Sequence, residues 1–361
     1  MLYLIGIIIS FFLFLLLAIK KKKPVADKIL MVWMLVLGIH QFLFYLDFSK
    51  ISHKYPHLLG LSLAFPVLHG VFLFFYVATL TGQKSITTRS VFPHFIPFLL
   101  LVLLAMPFYF LSGNDKLVIF QNEGAGYEWY GILQILLTLI SGVGYVVWSL
   151  LMIQKSRIQM ENIFSNTDRK NMQWLEYLSV GLAGVWLLVF FFDDHIIFSG
   201  VAVLVLLIGI FGINQLQIFG ATPEVILPDA TPHTERTENT ATRYAKSGLK
   251  AEDADLLFHR LDLLMKNDAP YTNNDLSLTE LATQLDVHPN YLSQVINEKT
   301  GKNFYTYINT LRAEAFVRLV ALPEKRHFTL LALAYECGFN SKSTFNKYVK
   351  LVSGKIPSDY L

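Results

Sequence analysis

The sequence predicts an all-α protein in which a seven-helix transmembrane bundle is followed by a soluble helical domain with two helix-turn-helix motifs. Only 16% of its 361 residues are charged, against about 25% in an ordinary soluble chain. The deficit lies in residues 1–220, which are apolar in long blocks. Near the end of the chain, an apolar pair, a tight turn and a short amphipathic stretch occur twice in the same order, the pattern of a helix-turn-helix.

Seven apolar blocks have about the 20 residues that a helix needs to cross a bilayer core. They run over residues 2–19, 29–48, 57–80, 91–111, 129–153, 174–192 and 196–218. Only Asp193, Asp194 and His195 separate the last two. A single span of about 45 residues is too long and would hold acidic groups at its centre, so two helices joined by a tight turn are predicted. Cation binding by these three side chains is the less favoured interpretation.

The distribution of Lys and Arg predicts the orientation of the blocks. The four lysines at 20–23 follow the first apolar block instead of preceding it, which is the reverse of a signal peptide. The odd-numbered loops hold eleven Lys and Arg residues and the even-numbered loops hold three. By the positive-inside rule, the N-terminus lies outside and seven crossings leave the C-terminus in the cytoplasm. The predicted location is the bacterial inner membrane.

Several polar side chains interrupt the apolar blocks. They are His40, Gln41, His69, Gln134, Thr138 and Asn214. Polar groups in lipid need partners, so these side chains either form hydrogen bonds between helices, which is favoured for any single one, or line a cavity for a small-molecule or lipid ligand. The outer loop at residues 112–128 could cap such a cavity.

The sequence shows no pattern for catalysis. It contains no phosphate-binding glycine loop, no HExxH and no GxSxG. We therefore predict no enzymatic activity, no cofactor and no metal. The single cysteine, Cys337, lies on an apolar helix face and is predicted to be a small buried residue rather than a redox sensor.

The composition divides the chain into a sensor domain at 1–219, a flexible linker at 220–250 and a soluble domain at 251–361. The linker contains three prolines and many threonines without an apolar period. After it, apolar residues at 256, 257, 261, 264 and 265 predict an amphipathic helix. This helix is expected to pack on the first motif, with dimerisation as the alternative.

The first motif covers residues 277–298. Ser277 and Glu280 form a predicted capping box, Asp286 occupies the turn, and Pro289 suits the first position of the second helix. In that helix Leu292, Val295 and Ile296 are predicted to face inward. The outward residues are Asn290, Ser293, Gln294 and Asn297.

A spacer helix separates the motifs. It is predicted over residues 304–322, capped by Asn303 and stopped by Pro323. Its predicted buried stripe is Phe304, Tyr307, Ile308, Leu311, Ala315 and Leu319. The second motif covers 329–352, with Gly338 in a turn one residue longer than the first. Its outward residues are Lys342, Ser343, Asn346 and Lys347.

Both motifs, the spacer and the ending GFNSKSTFNKYVKLVSGKIPSDYL resemble the AraC/XylS transcription regulators over about residues 255–361, and the whole chain resembles the membrane-tethered branch of that family. The resemblance implies two recognition helices in successive major grooves of double-stranded promoter DNA. It places base reading at Asn290, Ser293, Gln294, Lys342, Ser343, Asn346 and Lys347. Two features depart from the family. Asp286 stands at a usual glycine, and the first recognition helix has no Arg or Lys between His288 and Glu298.

Charge is divided between the motifs. Residues 246–298 carry four basic and nine acidic groups, whereas residues 299–361 carry ten basic and four acidic groups. Because phosphate contacts supply most sequence-independent affinity, the second motif is predicted to contribute more of it. A basic surface unrelated to DNA is the alternative.

The predicted function is a membrane-embedded, sequence-specific DNA-binding transcription regulator that couples a signal sensed by the transmembrane domain to promoter binding. Candidate partners besides DNA and lipid are a second copy of the chain and RNA polymerase. In the alternative, the chain is a membrane receptor or transporter whose C-terminal helical module binds a protein. A further variant has proteolysis in the linker release the C-terminal domain.

Overall fold

A computed structural model describes residues 2–83, 88–166, 173–219 and 251–360. These ranges contain fourteen α-helices and several short 3-10 turns, which confirms the all-α prediction. The helices are α1 (Leu2–Ile19), α2 (Val25–Phe48), α3 (Pro66–Leu80), α4 (Thr88–Tyr109), α5 (Gly113–Gln121), α6 (Glu128–Ile163), α7 (Gln173–Phe191), α8 (Asp194–Phe219), α9 (Ala251–Asn267), α10 (Leu278–Gln284), α11 (Pro289–Thr300), α12 (Phe304–Val320), α13 (Leu330–Glu336) and α14 (Lys342–Ser353). The predicted linker at 220–250 lies outside the described residues.

The chain forms two compact units, which we describe separately. Unit 1 comprises Met1–Ser156 and Met172–Thr222, and unit 2 comprises Arg157–Asn171 and Pro223–Leu361. The division falls inside α6, so unit 2 draws on two separate parts of the chain. The domain limits predicted from composition remain predictions.

All seven apolar blocks of unit 1 contain helices, but by length and composition only three of the described helices could cross a membrane. These three are Val25–Phe48, Arg89–Tyr109 and Glu128–Ile163. The shorter apolar helices are Leu4–Ile19, Pro66–Leu80, Gln173–Val189 and His195–Ile210. The expectation of seven membrane-length helices is therefore met only in part. The helix of the third block begins only at Pro66, after 3-10 turns at Ser52–Lys54 and Pro56–Leu58.

Buried polar groups in unit 1 join neighbouring helices. The His40 Nδ1 and His69 Nε2 atoms lie 2.9 Å apart, between α2 and α3, and the Trp33 indole N–H donates to His69 Nδ1 at 3.3 Å. Interhelical hydrogen bonding is thus correct for both histidines. The Gln134 amide instead donates within α6, to Thr138 at 3.3 Å.

Gln41 and Asn214 are the other two of the six polar residues that interrupt the apolar blocks. The Gln41 side chain is buried, and among the described atoms its Nε2 has no hydrogen-bond partner. A ligand cavity therefore stays a prediction. The side chain of Asn214 lies outside the described residues.

Two connections in unit 1 can be compared with the sequence. Asp193 accepts the Ile196 N–H at 3.2 Å at the start of α8, which confirms two helices joined by a tight turn. The stretch 112–128, predicted as an outer loop, contains the nine-residue helix α5, capped by Ser112. The Ser112 cap explains where α5 begins, and the low apolarity of this helix hides it from hydropathy counting.

The spacer helix α12 forms a wall of both small cores in unit 2. Phe304, Tyr307 and Ile308 belong to the first core, while Ala313 and Phe316 belong to the second. The second half of the predicted stripe is less buried than expected: Leu311, Ala315 and Leu319 pack against the cores but are only half-buried. A helix between two motifs buries two faces, so one 3.6-residue period does not describe it.

Helix α9 packs on the first core, as predicted. Leu257, Leu261 and Met265 are buried there, and the Arg260 guanidinium donates to the Leu285 carbonyl at the end of α10. Leu256 was assigned wrongly to the apolar face, because its side chain is 61% exposed.

Candidate nucleic-acid interface

The first motif begins with the predicted capping box. The Ser277 hydroxyl accepts the Glu280 N–H at 3.2 Å, and the Glu280 carboxylate accepts the Ser277 N–H at 2.9 Å. Pro289 opens α11 after the cap residue His288, whose Nδ1 accepts the Asn290 N–H at 3.2 Å. These contacts satisfy N–H groups that a helix start leaves unpaired.

Both motifs close the first helix in the same way. The Val287 N–H donates to Ala282 O and the Phe339 N–H donates to Ala334 O, each at 3.0 Å. The residue before each donor is left-handed: φ is 51° at Asp286 and 90° at Gly338. Asp286 therefore takes the glycine conformation that the turn requires, as expected for an Asp.

Gly338 is required for a second reason. A Cβ at this position would lie 2.5 Å from Tyr271 O and 2.8 Å from Thr272 O. Any side chain at 338 would thus collide with the backbone of residues 271–272. The second turn is fixed both by its own conformation and by this contact.

The two turns differ after the left-handed residue. The cap of α11 is His288, two residues past Asp286, and the cap of α14 is Ser341, three residues past Gly338. This confirms that the second turn is one residue longer. The Ser341 hydroxyl accepts the Thr344 N–H at 3.4 Å.

The predicted reading face of α11 is neutral and partly engaged with its own helix. Asn290 is exposed, whereas Ser293 and Gln294 are half-buried. The Gln294 amide donates to Glu298 Oε1 at 3.1 Å, and the Asn297 amide donates to the Ser293 carbonyl at 2.9 Å. Because a glutamine amide has two N–H groups and an acceptor oxygen, Gln294 can keep this bond and still contact a base edge.

The predicted reading face of α14 is cationic and open. Lys342, Ser343, Asn346 and Lys347 are all exposed. The Lys347 ammonium lies 5.4 Å from the centre of the Tyr348 ring. Lys350, one turn beyond Asn346, is also exposed. It extends the same face and could have been found from its i+3 and i+4 spacing.

Two lysines outside α14 are already paired. Lys299 forms an ion pair with Asp255 of α9, and Lys325 binds Glu336 at 2.6 Å. Within the described ranges, no ion pair includes the lysines of α14. These lysines are therefore available to phosphate groups.

Among the described residues, no group of three or more His, Cys, Asp or Glu side chains is placed to hold a metal ion. The family model described as a helix-turn-helix domain, HTH_18, matches residues 281–361. This is an AraC-type domain of DNA-binding transcription regulation. It is the kind of domain that a regulator carries, rather than an enzyme. Searches of curated proteins and of solved structures found no match.

Proposed function

We propose that the chain is a membrane-embedded, sequence-specific transcription regulator, in which the N-terminal half senses a signal and the C-terminal domain binds a promoter. The observation that carries this proposal is the joining of an AraC-type helix-turn-helix domain to several long apolar helices in one chain. Seven crossings with the N-terminus outside would place the C-terminal domain in the cytoplasm, where the DNA is.

Within this proposal, the two motifs divide recognition between them. Asn290, Ser293 and Gln294 read base edges in one major groove, where amides pair well with adenine. In the other groove Ser343 and Asn346 read bases, while Lys342, Lys347 and Lys350 add attraction to phosphates. The exposed face of α14 supports this division, as does the absence of its lysines from the ion pairs among the described residues.

The signal is proposed to be a small molecule or lipid bound among the apolar helices. The buried Gln41 Nε2, which has no hydrogen-bond partner among the described atoms, and the His40 and His69 pair supply polar groups of the kind that orient a ligand in an apolar site. Helix repacking around such a ligand would change promoter binding.

Replacement of Lys342 or Lys347 by Ala tests the DNA-binding assignment. Each change should weaken binding to a promoter fragment recovered from genomic DNA by the wild-type chain, and the two together should abolish the footprint. Lys266→Ala is the matched control, because it removes one exposed lysine from α9. A retained footprint in the double variant would show that α14 does not hold the DNA.

Salt dependence separates this function from a protein-binding module. A DNA-binding chain that neutralises several phosphates loses affinity steeply between about 50 and 200 mM salt. A shallow dependence would favour the membrane receptor or transporter with a protein partner.

A further inference from the structure

Arg312 in α12 is a buried cation that donates hydrogen bonds to neutral acceptors, and the charge of Asp275 also acts on it. It is 1% exposed. Its Nε donates to Tyr271 O at 2.7 Å, Nη1 to Asn309 Oδ1 at 3.1 Å, and Nη2 to Asn273 O at 2.7 Å. The remaining two bonds go to Ser165, at 3.1 Å to its carbonyl and 3.1 Å to its hydroxyl. Burial lowers the pKa of Arg312 to about 10, so the group stays charged at neutral pH and needs every acceptor.

Ser165 belongs to a part of the chain far from the rest of this site. It follows α6 by two residues, and it is 1% exposed. Its N–H donates to Leu276 O at 3.1 Å, and its hydroxyl donates to the same carbonyl at 2.6 Å. The Asn309 amide donates to Ser165 O at 3.0 Å. Every polar group of Ser165 is thus bonded inside unit 2.

The neighbouring residues add to this attachment. Phe164 forms an antiparallel β-bridge with Ser277, the cap of α10. The Asn303 amide at the start of α12 donates to Glu161 Oε2 at 3.3 Å. We call Phe164 and Ser165 the docking segment. The residues that contact it, Leu276, Ser277, Asn309 and Arg312, are its seat.

The seat is connected to both helix-turn-helix motifs. Leu276 and Ser277 lead directly into α10. On the other side, the Tyr271 carbonyl that accepts from Arg312 is the atom against which Gly338 of the second turn packs. The exposed reading residues, such as Asn290 and Lys347, remain uncovered, so the docking segment does not block DNA sterically.

We propose that the docking segment is a reversible clamp, and that its seating on Arg312 holds the two motifs at the spacing that promoter binding requires. This inference rests on the proposed function. Withdrawal of Ser165 removes two acceptors from Arg312 and one from Asn309. The buried guanidinium must then rearrange or admit water, which moves α12 against residues 271–273. Because α12 packs against both cores, its movement changes the distance between α11 and α14.

The continuity of α6 makes the clamp responsive to the apolar helices. The helix runs unbroken from Glu128 to Ile163, so its 36 residues rise about 54 Å, well beyond the roughly 30 Å of a bilayer core. Because α6 ends one residue before Phe164, it joins the apolar helices to the docking segment by a route separate from residues 220–250.

Disulfide trapping in the full chain tests the docking. Phe164→Cys and Ser277→Cys are combined with Cys337→Ala, and a protease site is placed in the linker. Antiparallel partners lie at distances that suit a disulfide, so after oxidation and cleavage the C-terminal fragment should stay attached on a non-reducing gel. The control keeps Ser277→Cys and moves its partner to Ile158→Cys, about 9 Å earlier along α6. Equal trapping in both pairs would overturn the docking.

Promoter binding tests the clamp. The oxidised pair should bind a recovered promoter fragment at least as tightly as the same protein after reduction. Ser165→Pro removes the N–H bond and displaces the carbonyl, so it should weaken binding about tenfold or more. Ser165→Ala keeps the backbone bonds and should cost much less.

Weaker binding by the oxidised pair, or wild-type binding by Ser165→Pro, would overturn the clamp. If the wild-type chain retains no genomic fragment at all, the proposed function fails and the regulatory role of the clamp fails with it. The trapping result still reports docking in that case, so the two failures are distinguishable.

Discussion

The two helix-turn-helix motifs have matching backbones and different surfaces. Their first helices each have seven residues and their second helices each have twelve, and both turns close with the same N–H···O bond. Yet α11 has a neutral reading face, whereas α14 presents three exposed lysines. Backbone geometry is therefore maintained by caps, turn conformation and buried apolar residues, and the reading surface varies independently of them.

The largest difference should appear when the turn residues are exchanged. Gly338→Asp adds left-handed strain and drives a Cβ to within 2.5 Å of Tyr271 O, so it should destabilise unit 2 by about 3 kcal/mol or more. Glycine adopts the left-handed conformation of residue 286 without strain, so Asp286→Gly should change the stability of unit 2 by about 1 kcal/mol or less. Hydrogen exchange in the full chain measures the first change at α13 and α14 and the second at α10 and α11. Similar losses in the two variants would show that the close approach at Gly338 is unimportant.

A second contrast lies in how each reading face binds DNA. Lys342→Ala should reduce affinity on every sequence and lower the salt slope by about one. Asn290→Ala should instead relax base preference at one position, by about 1–3 kcal/mol of discrimination, with the slope unchanged. Titration on specific and scrambled fragments at several salt concentrations measures both effects. A changed slope for Asn290→Ala would contradict the proposed division of labour.

The features that sequence predicted in unit 2 are local ones. The Ser277 capping box, Asp286 in the turn, Pro289 at a helix start and the extra residue before Ser341 each depend on a few adjacent residues, so their spacing is visible in the chain. The seven apolar blocks were found for a similar reason, although only three of the described helices are both long and apolar enough to cross a membrane.

The features that sequence missed depend on distant or weakly apolar residues. The end of α6, residues 154–163, is polar but rich in helix formers, so hydropathy placed the helix end ten residues early. The burial of Arg312 could not be predicted from the sequence, because its acceptors belong to distant residues, Tyr271, Asn273 and Ser165. No spacing rule brings these positions together.

Helix caps should give a smaller contrast than the turns. Ser277→Ala removes the acceptor of a two-way capping box, whereas Thr329→Ala removes a single acceptor, the one for the Ala332 N–H at 3.2 Å. Both changes should cost about 0.5–2 kcal/mol, with Ser277→Ala at the upper end because Glu280 also loses its fixed position. Denaturant unfolding measured with Ser277→Thr as a conservative control decides this order. A larger loss from Thr329→Ala would reverse it.

The smallest contrast concerns the residue that follows each first helix. Leu285 and Cys337 are equivalent positions, and both are buried. Burial raises the pKa of the Cys337 thiol to about 12, so at pH 8 almost no reactive thiolate forms. An alkylating reagent should therefore leave the folded chain unmodified and label it fully in denaturant. Cys337→Ala should cost only about 1 kcal/mol, since one buried sulfur is lost. Rapid labelling of the folded chain would instead identify Cys337 as a redox-accessible thiol, the interpretation that its burial opposes.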